Sequence, residues 1–418
     1  CMIIKYLKKF APQVLITLLL LTYFIPSLKS IDRIGNQWLY LSIINLLGII
    51  WIFFDQNFNF KLLDFRKVYI IRWYLLFILM SLLSFISSNN IPESVFTFNQ
   101  YLNCFIALSL IFHCFKKIKY PELFTAQILF TLLIFELYYS FKPILDDIMS
   151  DKLVFRSMNY SGLASNINIT SFSIVFKIPI LIYFLITQKK LYVKILLSIL
   201  LSISLFTIFI LGTRGAILAL LISFGFYLIY LGYNYLNFRK ELTNIILIVL
   251  AIILSFSLNI NTASSNKNTV INRASTISLS TTDGSVNQRL RYYKQGLNQF
   301  TKTPLLGIGI GNWKLNSIMT DKDNIIGYIV PYHAHNDFIQ ILAEQGIFAL
   351  IFYILVFASF IYIIIIRKLY YKNIIYIFFT ASFFVFFLDS NLNFPIARPI
   401  SQLQFILILA LVSTKQKE

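Results

Sequence analysis

The sequence predicts an all-α polytopic membrane protein of about twelve transmembrane helices, with one large outward-facing loop that contains short helices. Three observations carry this. Of the 418 residues, 58% are hydrophobic and 13% are charged, about half the charged content of an ordinary soluble domain. The apolar residues fall in runs such as Val14–Leu28, Leu39–Phe54, Leu75–Ser88 and Leu350–Ile366, which approach or reach the ~20 residues a helix needs to cross a bilayer. One long polar stretch, residues 261–337, interrupts the pattern.

Taken in order, the apolar runs place helices near 12–28, 37–54, 68–87, 95–115, 122–141, 163–187, 191–211, 215–233, 242–260, 345–366, 371–388 and 400–414. Residues 14–28 resemble a signal-peptide core, but no small-residue cleavage site follows, so they are read as the first span. The sixth run is the least regular. Its entry, Ser161–Ser173, is polar, and Lys177 and Pro179 interrupt it, a pattern found in helices that line an aqueous cavity. The expected organisation is therefore nine helices over 1–260, a loop with the chemistry over 261–344, and three helices over 345–418. No internal repeat supports the inverted-repeat plan of many secondary transporters.

The net charge of +19 does not point to nucleic acid, because the basic residues sit in short connectors rather than on one face. With the N-terminus cytoplasmic, inside segments hold nineteen lysines and arginines, and the outside short loops hold seven: Lys29, Arg33, Lys142, Lys152, Arg156, Arg214 and Arg398. Positive residues collect on the cytoplasmic side, so both termini are expected there and the long loop outside. The three cysteines, Cys1, Cys104 and Cys114, have no zinc spacing, and Cys1 precedes Met2, which leaves the native start open.

The loop has internal order. Ser275–Asp283 reads as irregular backbone, and Asn287–Phe300 as an amphipathic helix. Arg289 and Tyr293 share one face of it at i, i+4, with Leu290, Leu297 and Phe300 as the apolar side. Pro304 stops the helix. Gly307, Gly309 and Gly311 then punctuate a turn that lacks the strand a dinucleotide site requires. His335, just before helical periodicity resumes at Phe338, is placed to accept a proton from a hydroxyl near neutral pH. A surface histidine that caps the helix start fits the same pattern. His333 is read as its neighbour, and His113, at a span end, as inert. Arg214, in the tight turn Gly212-Thr213-Arg214-Gly215 between apolar runs, is either a snorkelling charge or an anion ligand. Arg289 and Arg291 offer further guanidinium forks for phosphate oxygens, with solvated charge the plainer account of Arg291. Asp146-Asp147 and Asp321-Lys322-Asp323 resemble a metal-holding Asp-x-Asp, but solvated charge explains them as well, and no metal is expected. Glu344 and Asp389 lie near span ends, where they could orient neighbours.

These residues resemble the O-antigen ligase and O-antigen polymerase superfamily of bacterial envelope glycosyltransferases. The resemblance rests on Thr213-Arg214-Gly215 after an apolar span and on Asn287-Gln288-Arg289 followed by Pro304–Asn312 (PLLGIGIGN). It rests also on His335-Asn336, nine residues, then Gly346. The last position of that motif, usually Gly, Thr or Tyr, is Ala349 here. Asn393-Phe394-Pro395 with Arg398 resembles a further segment of the family. The resemblance implies a cofactor-free, metal-independent transfer on the periplasmic face of the bacterial inner membrane. The glycan would pass from undecaprenyl diphosphate to a hydroxyl of the lipid A–core, or to another glycan in a polymerase. It implies His335 as general base and Arg214 and Arg289 as diphosphate ligands, with Asn336, Arg291, His333 and Gly346 in support. The expected partners are the lipid-linked donor, the lipid A–core acceptor and the bilayer, with no nucleic acid. The absence of an added C-terminal soluble domain argues against the larger protein-glycosylating members. A transporter of lipid-linked glycan would explain the spans and the arginines, but not His335 with its Gly346 spacing.

Overall fold

The computed structural model describes residues 2–26, 33–54, 67–263, 284–322 and 330–417. Cys1, Lys29, Lys61, Arg66, Asp323 and the stretch read as irregular over Ser275–Asp283 lie outside them. All regular structure among the described residues is helical. Many of these helices are rich in Ile, Val and Phe, which are mediocre helix formers in water. In lipid, however, each backbone N–H and C=O must be satisfied within its own segment, and that requirement overrides propensity.

In chain order the longer helices are α1 (Met2–Leu20), α2 (Arg33–Phe54), α3 (Tyr69–Leu83), α4 (Ile91–Phe115), α5 (Pro121–Met149), α6 (Ile167–Thr187) and α7 (Leu191–Leu211). They continue as α8 (Arg214–Tyr233), α9 (Phe238–Ala263), α10 (Gly284–Lys302), α11 (Trp313–Asp321), α12 (Asp337–Ile366), α13 (Ile375–Leu392) and α14 (Pro399–Thr414). Ten helices among the described residues are long and apolar enough to cross a membrane: α2 to α9, α12 and α13. Two shorter apolar helices, Phe10–Phe24 and Pro399–Thr414, stand where the first and last spans are expected. Side chains set several of the boundaries. Asn90 caps α4 by accepting from Glu93 N at 3.3 Å, and Asn166 caps α6 by accepting from Asn168 N at 2.9 Å, each satisfying a donor the first turn leaves open.

The chain forms two compact units that interleave along the sequence. The first contains α1 to α4, α10 to α12, α14 and the stretch from Ser390 onward. Its centre is α14, buried from Pro399 to Ser413, as befits a helix apolar on nearly all sides. α12 lies along α3, where Trp73 stacks on Phe352 at 6.0 Å and Ser81 Oγ donates to Gln345 Oε1 at 2.5 Å. Asn45 Nδ2 joins α2 to α4 through Asn103 Oδ1 at 2.8 Å, the kind of polar tie that holds helices together in lipid.

The second unit contains α5 to α9 and α13 as far as Asp389. Its most enclosed span is α6. The polar residues that make this run irregular in sequence turn inward: Thr170, Ser171, Ser173 and Lys177 are all buried. Lys177 Nζ bonds Glu136 Oε2 at 2.7 Å and Ser173 Oγ at 2.8 Å. The polarity of α6 thus serves an internal ion pair. Along α7, Ser198 Oγ and Ser202 Oγ donate to the α9 carbonyls of Leu247 (2.7 Å) and Ala251 (3.2 Å).

Candidate active site

The first unit builds a small polar site from α10, α11, the start of α12 and the turn that leads into α14. The expected amphipathic helix is present as α10, but its inward face differs from the expected one. Tyr292, Gly296 and Gln299 are buried, whereas Leu290 and Leu297 are 45% and 47% exposed. The reason is packing: Tyr292 joins Trp313, Ala334 and Ala343 in a local core with Ile339 against it, and this selects the 292/296/299 stripe over the leucines.

His335 stands on that core. Its backbone is left-handed, φ 55°, an uncommon state for a residue with a Cβ and one that cluster around functional sites. Its ring lies parallel to Tyr292 at 6.3 Å and edge-on to Phe394 at 5.1 Å. The capping role falls to Asn336, whose Oδ1 accepts from Ile339 N at 3.0 Å, so His335 is not the cap of α12. The turn is tied from the C-terminal side as well. Asn336 Nδ2 donates to Asn391 O at 3.3 Å, and Ile396 N donates to Asp337 Oδ2 at 3.2 Å. The Tyr293 hydroxyl faces both His335 O (3.3 Å) and Asn391 O (3.0 Å).

The electrostatics follow from this packing. Burial, and then the positive charge of Arg289, push the His335 imidazole down to about 4, against an ordinary ~6.5. His333 stacks on Phe394 at 4.3 Å. Burial, then the charges of Arg398 and His335, push it down to about 3. Both rings are neutral at physiological pH, and each has a buried Nδ1 without a hydrogen-bond partner. The structure therefore brings Arg289 and His335 into one electrostatic neighbourhood. Arg291 turns elsewhere, its Nε 3.0 Å from Asp321 Oδ2, and so fastens α10 to α11. Of the acidic pairs noted in sequence, Asp147 accepts from Tyr160 Oη at 2.6 Å, and Asp321 has Arg291.

Gly346 lies within α12, where it interrupts the helix at φ 78° and ψ −174°, a conformation open essentially to glycine alone. A Cβ there would meet Leu305 O at 2.2 Å. Ile347 N bonds Pro304 O, and Ile308 N bonds Ala343 O, both at 3.0 Å. Gly346 thus lets the Pro304–Asn312 turn dock into a break in α12, nine residues beyond Asp337. Glu344 Oε1 completes the joint by accepting from Trp313 N at 2.8 Å.

Residues 197–354 match the O-antigen ligase family. Over that segment the chain is similar to the O-antigen ligase superfamily. The match covers well under half of the sequence and includes Arg214, Arg289, His335, Asn336 and Gly346. No curated protein matches the chain. Arg214, at the start of α8, belongs to the second unit. Sequence reasoning paired Tyr293 with Arg289 on one face but gave it no role, and it missed Asn391. Nothing in the spacing from 293 to 391 marks two residues that meet only when the last spans are in place.

Proposed function

We propose that this protein is an O-antigen ligase-type glycosyltransferase that moves a glycan from undecaprenyl diphosphate to a sugar hydroxyl of the lipid A–core. The observation that carries the proposal is a neutral imidazole beside a guanidinium, His335 beside Arg289, within the family-matched segment. His335 takes the proton of the acceptor hydroxyl as its oxygen attacks the anomeric carbon. The bond from that carbon to the diphosphate breaks, and undecaprenyl diphosphate leaves with the electron pair. Arg289 and Arg214 stabilise the charge that develops on it, so the scheme calls for neither metal nor cofactor. Donor binding also tunes the base: an anion at Arg289 offsets the charge that depresses His335, which makes the imidazole more basic when substrate is present. In this reading the spans are carried by 1–260 and 345–418, and the reactive loop, 261–344, faces the periplasm of an inner-membrane protein with cytoplasmic termini.

The test is transfer by the purified full chain from an undecaprenyl-diphosphate-linked glycan to lipid A–core. His335→Ala should abolish product while the protein stays folded; full transfer by that variant would remove the base assignment. A polymerase would use the same residues with a glycan end as acceptor. The lipopolysaccharide of a deletion strain separates the two. Loss of all long glycan with lipid-linked polymer still made marks the ligase, and capping by a single repeat marks the polymerase.

A further inference from the structure

Two guanidinium groups share one turn at the head of α8, in the second unit. Beyond α5 the chain folds back, so that Arg156 N donates to Ile210 O, near the end of α7, at 3.1 Å. Gly212 follows α7 at φ 58°, and a Cβ there would lie 2.3 Å from the Phe155 ring and 3.2 Å from Arg156 Cγ. Only glycine therefore lets the stem of Arg156 lie across this turn. Arg156 is itself held at φ 60°, a left-handed state that costs a residue with a Cβ ~1 kcal/mol or more. Hydrogen bonding, glycine and backbone strain together fix this arginine next to Arg214.

The same turn leaves the start of α8 open. Thr213 occupies the N-cap position of this 20-residue helix without a side-chain cap bond. Its Oγ1 is buried and has no partner, in a residue 3% exposed. No carboxylate among the described residues pairs with Arg156. Burial, and then the charge of Arg214, hold the Arg156 guanidinium below its ordinary value. Two like charges, an uncapped helix start with its partial positive charge and a buried hydroxyl without a partner all favour negative charge at this turn. An anion there answers all three.

We infer that Arg156, Thr213 and Arg214 form a notch for a lipid-borne diphosphate, in which Arg156 is a second phosphate ligand beside Arg214. The inference rests on the proposed use of a polyprenyl-diphosphate donor. Two adjacent phosphates match two adjacent guanidiniums, whereas a single phosphate engages one.

The test uses the full chain in phosphatidylcholine nanodiscs, titrated with farnesyl diphosphate and, separately, farnesyl monophosphate. Arg156→Gln should raise the Kd for the diphosphate about tenfold and that for the monophosphate less than about threefold, with Arg156→Lys in between. Thermal unfolding of each variant checks the fold. An unchanged diphosphate Kd in Arg156→Gln, with binding weakened by Arg214→Gln, overturns this inference and leaves the proposed transferase standing. If both variants bind as the unmodified chain does, Arg214 leaves the donor site too. Inorganic pyrophosphate that competes as well as farnesyl diphosphate argues against a lipid-borne ligand. Nanodiscs of phosphatidylglycerol that block farnesyl diphosphate at this turn assign it to a lipid headgroup and also overturn the inference.

Discussion

Replacing Arg289 by glutamine should raise the pH at which His335 takes up a proton. In the intact protein, burial is the larger cause that holds this imidazole at about 4, and the Arg289 charge is the second. Removing the charge leaves burial in place, so less than half of the gap to the ordinary ~6.5 is recovered. The midpoint should climb by roughly 1 pH unit, equivalent to ~1.4 kcal/mol. The chain has three histidines, so 13C-histidine NMR of the full protein in micelles yields few enough signals to follow one by one. His333→Gln and His335→Gln assign them. The sign of the stability effect follows. Between about 4 and ~6.5 the unfolded chain binds the proton and the folded one does not, so stability rises with pH across that window and is lost as pH falls towards about 4. Arg289→Gln should narrow the window from below. A His335 midpoint near 6.5 in the unmodified protein, or the same midpoint in both proteins, refutes the electrostatic account of the site.

Three further outcomes are expected. Gly346→Ala places a methyl group against Leu305 O and forces a residue with a Cβ into φ 78°; a loss of ~3 kcal/mol or more should appear as a lowered unfolding temperature, and an unaltered one would mean that the docked turn gives way. Tyr293→Phe removes only the hydroxyl facing His335 O and Asn391 O, so under the proposed mechanism kcat should fall about tenfold with little change in donor KM, since the imidazole loses its aim while the arginines proposed to hold the diphosphate remain. Glu136→Gln strands the Lys177 ammonium inside α6, at a cost of ~3–5 kcal/mol, whereas Glu136→Leu with Lys177→Met together should restore most of the unfolding temperature; equal damage in both proteins would count against a purely structural pair.

Much of the architecture is legible because lipid imposes a length rule on apolar runs: α7 occupies Leu191–Leu211, where the expected run lies at 191–211. Arg289 and His335 are also legible, as charged or titratable residues within a short motif. What the linear pattern hides is partnership. Lys177 reads as an interruption until Glu136 is seen beside it, because the two are 41 residues apart. The leucines of α10 read as its buried face, although a helix with tyrosines on the opposite stripe has two candidate faces and tertiary contacts decide between them. Gly346 reads as a motif position, and only the Pro304–Leu305 carbonyls lying against it explain why nothing larger fits.

The ties from Asn391 and Ile396 to the His335 turn bear on biogenesis. Helices enter a membrane as they are synthesised, and the residues that brace the His335 turn emerge after α12 is complete. A nascent chain inserted through Ile366 already carries the imidazole and both arginines, yet it lacks the wall that aims the ring. The turn at His335 is therefore set only once residues 391–396 have followed α12 into place. A graft limited to residues 197–354 would likewise move the His335 turn without its brace.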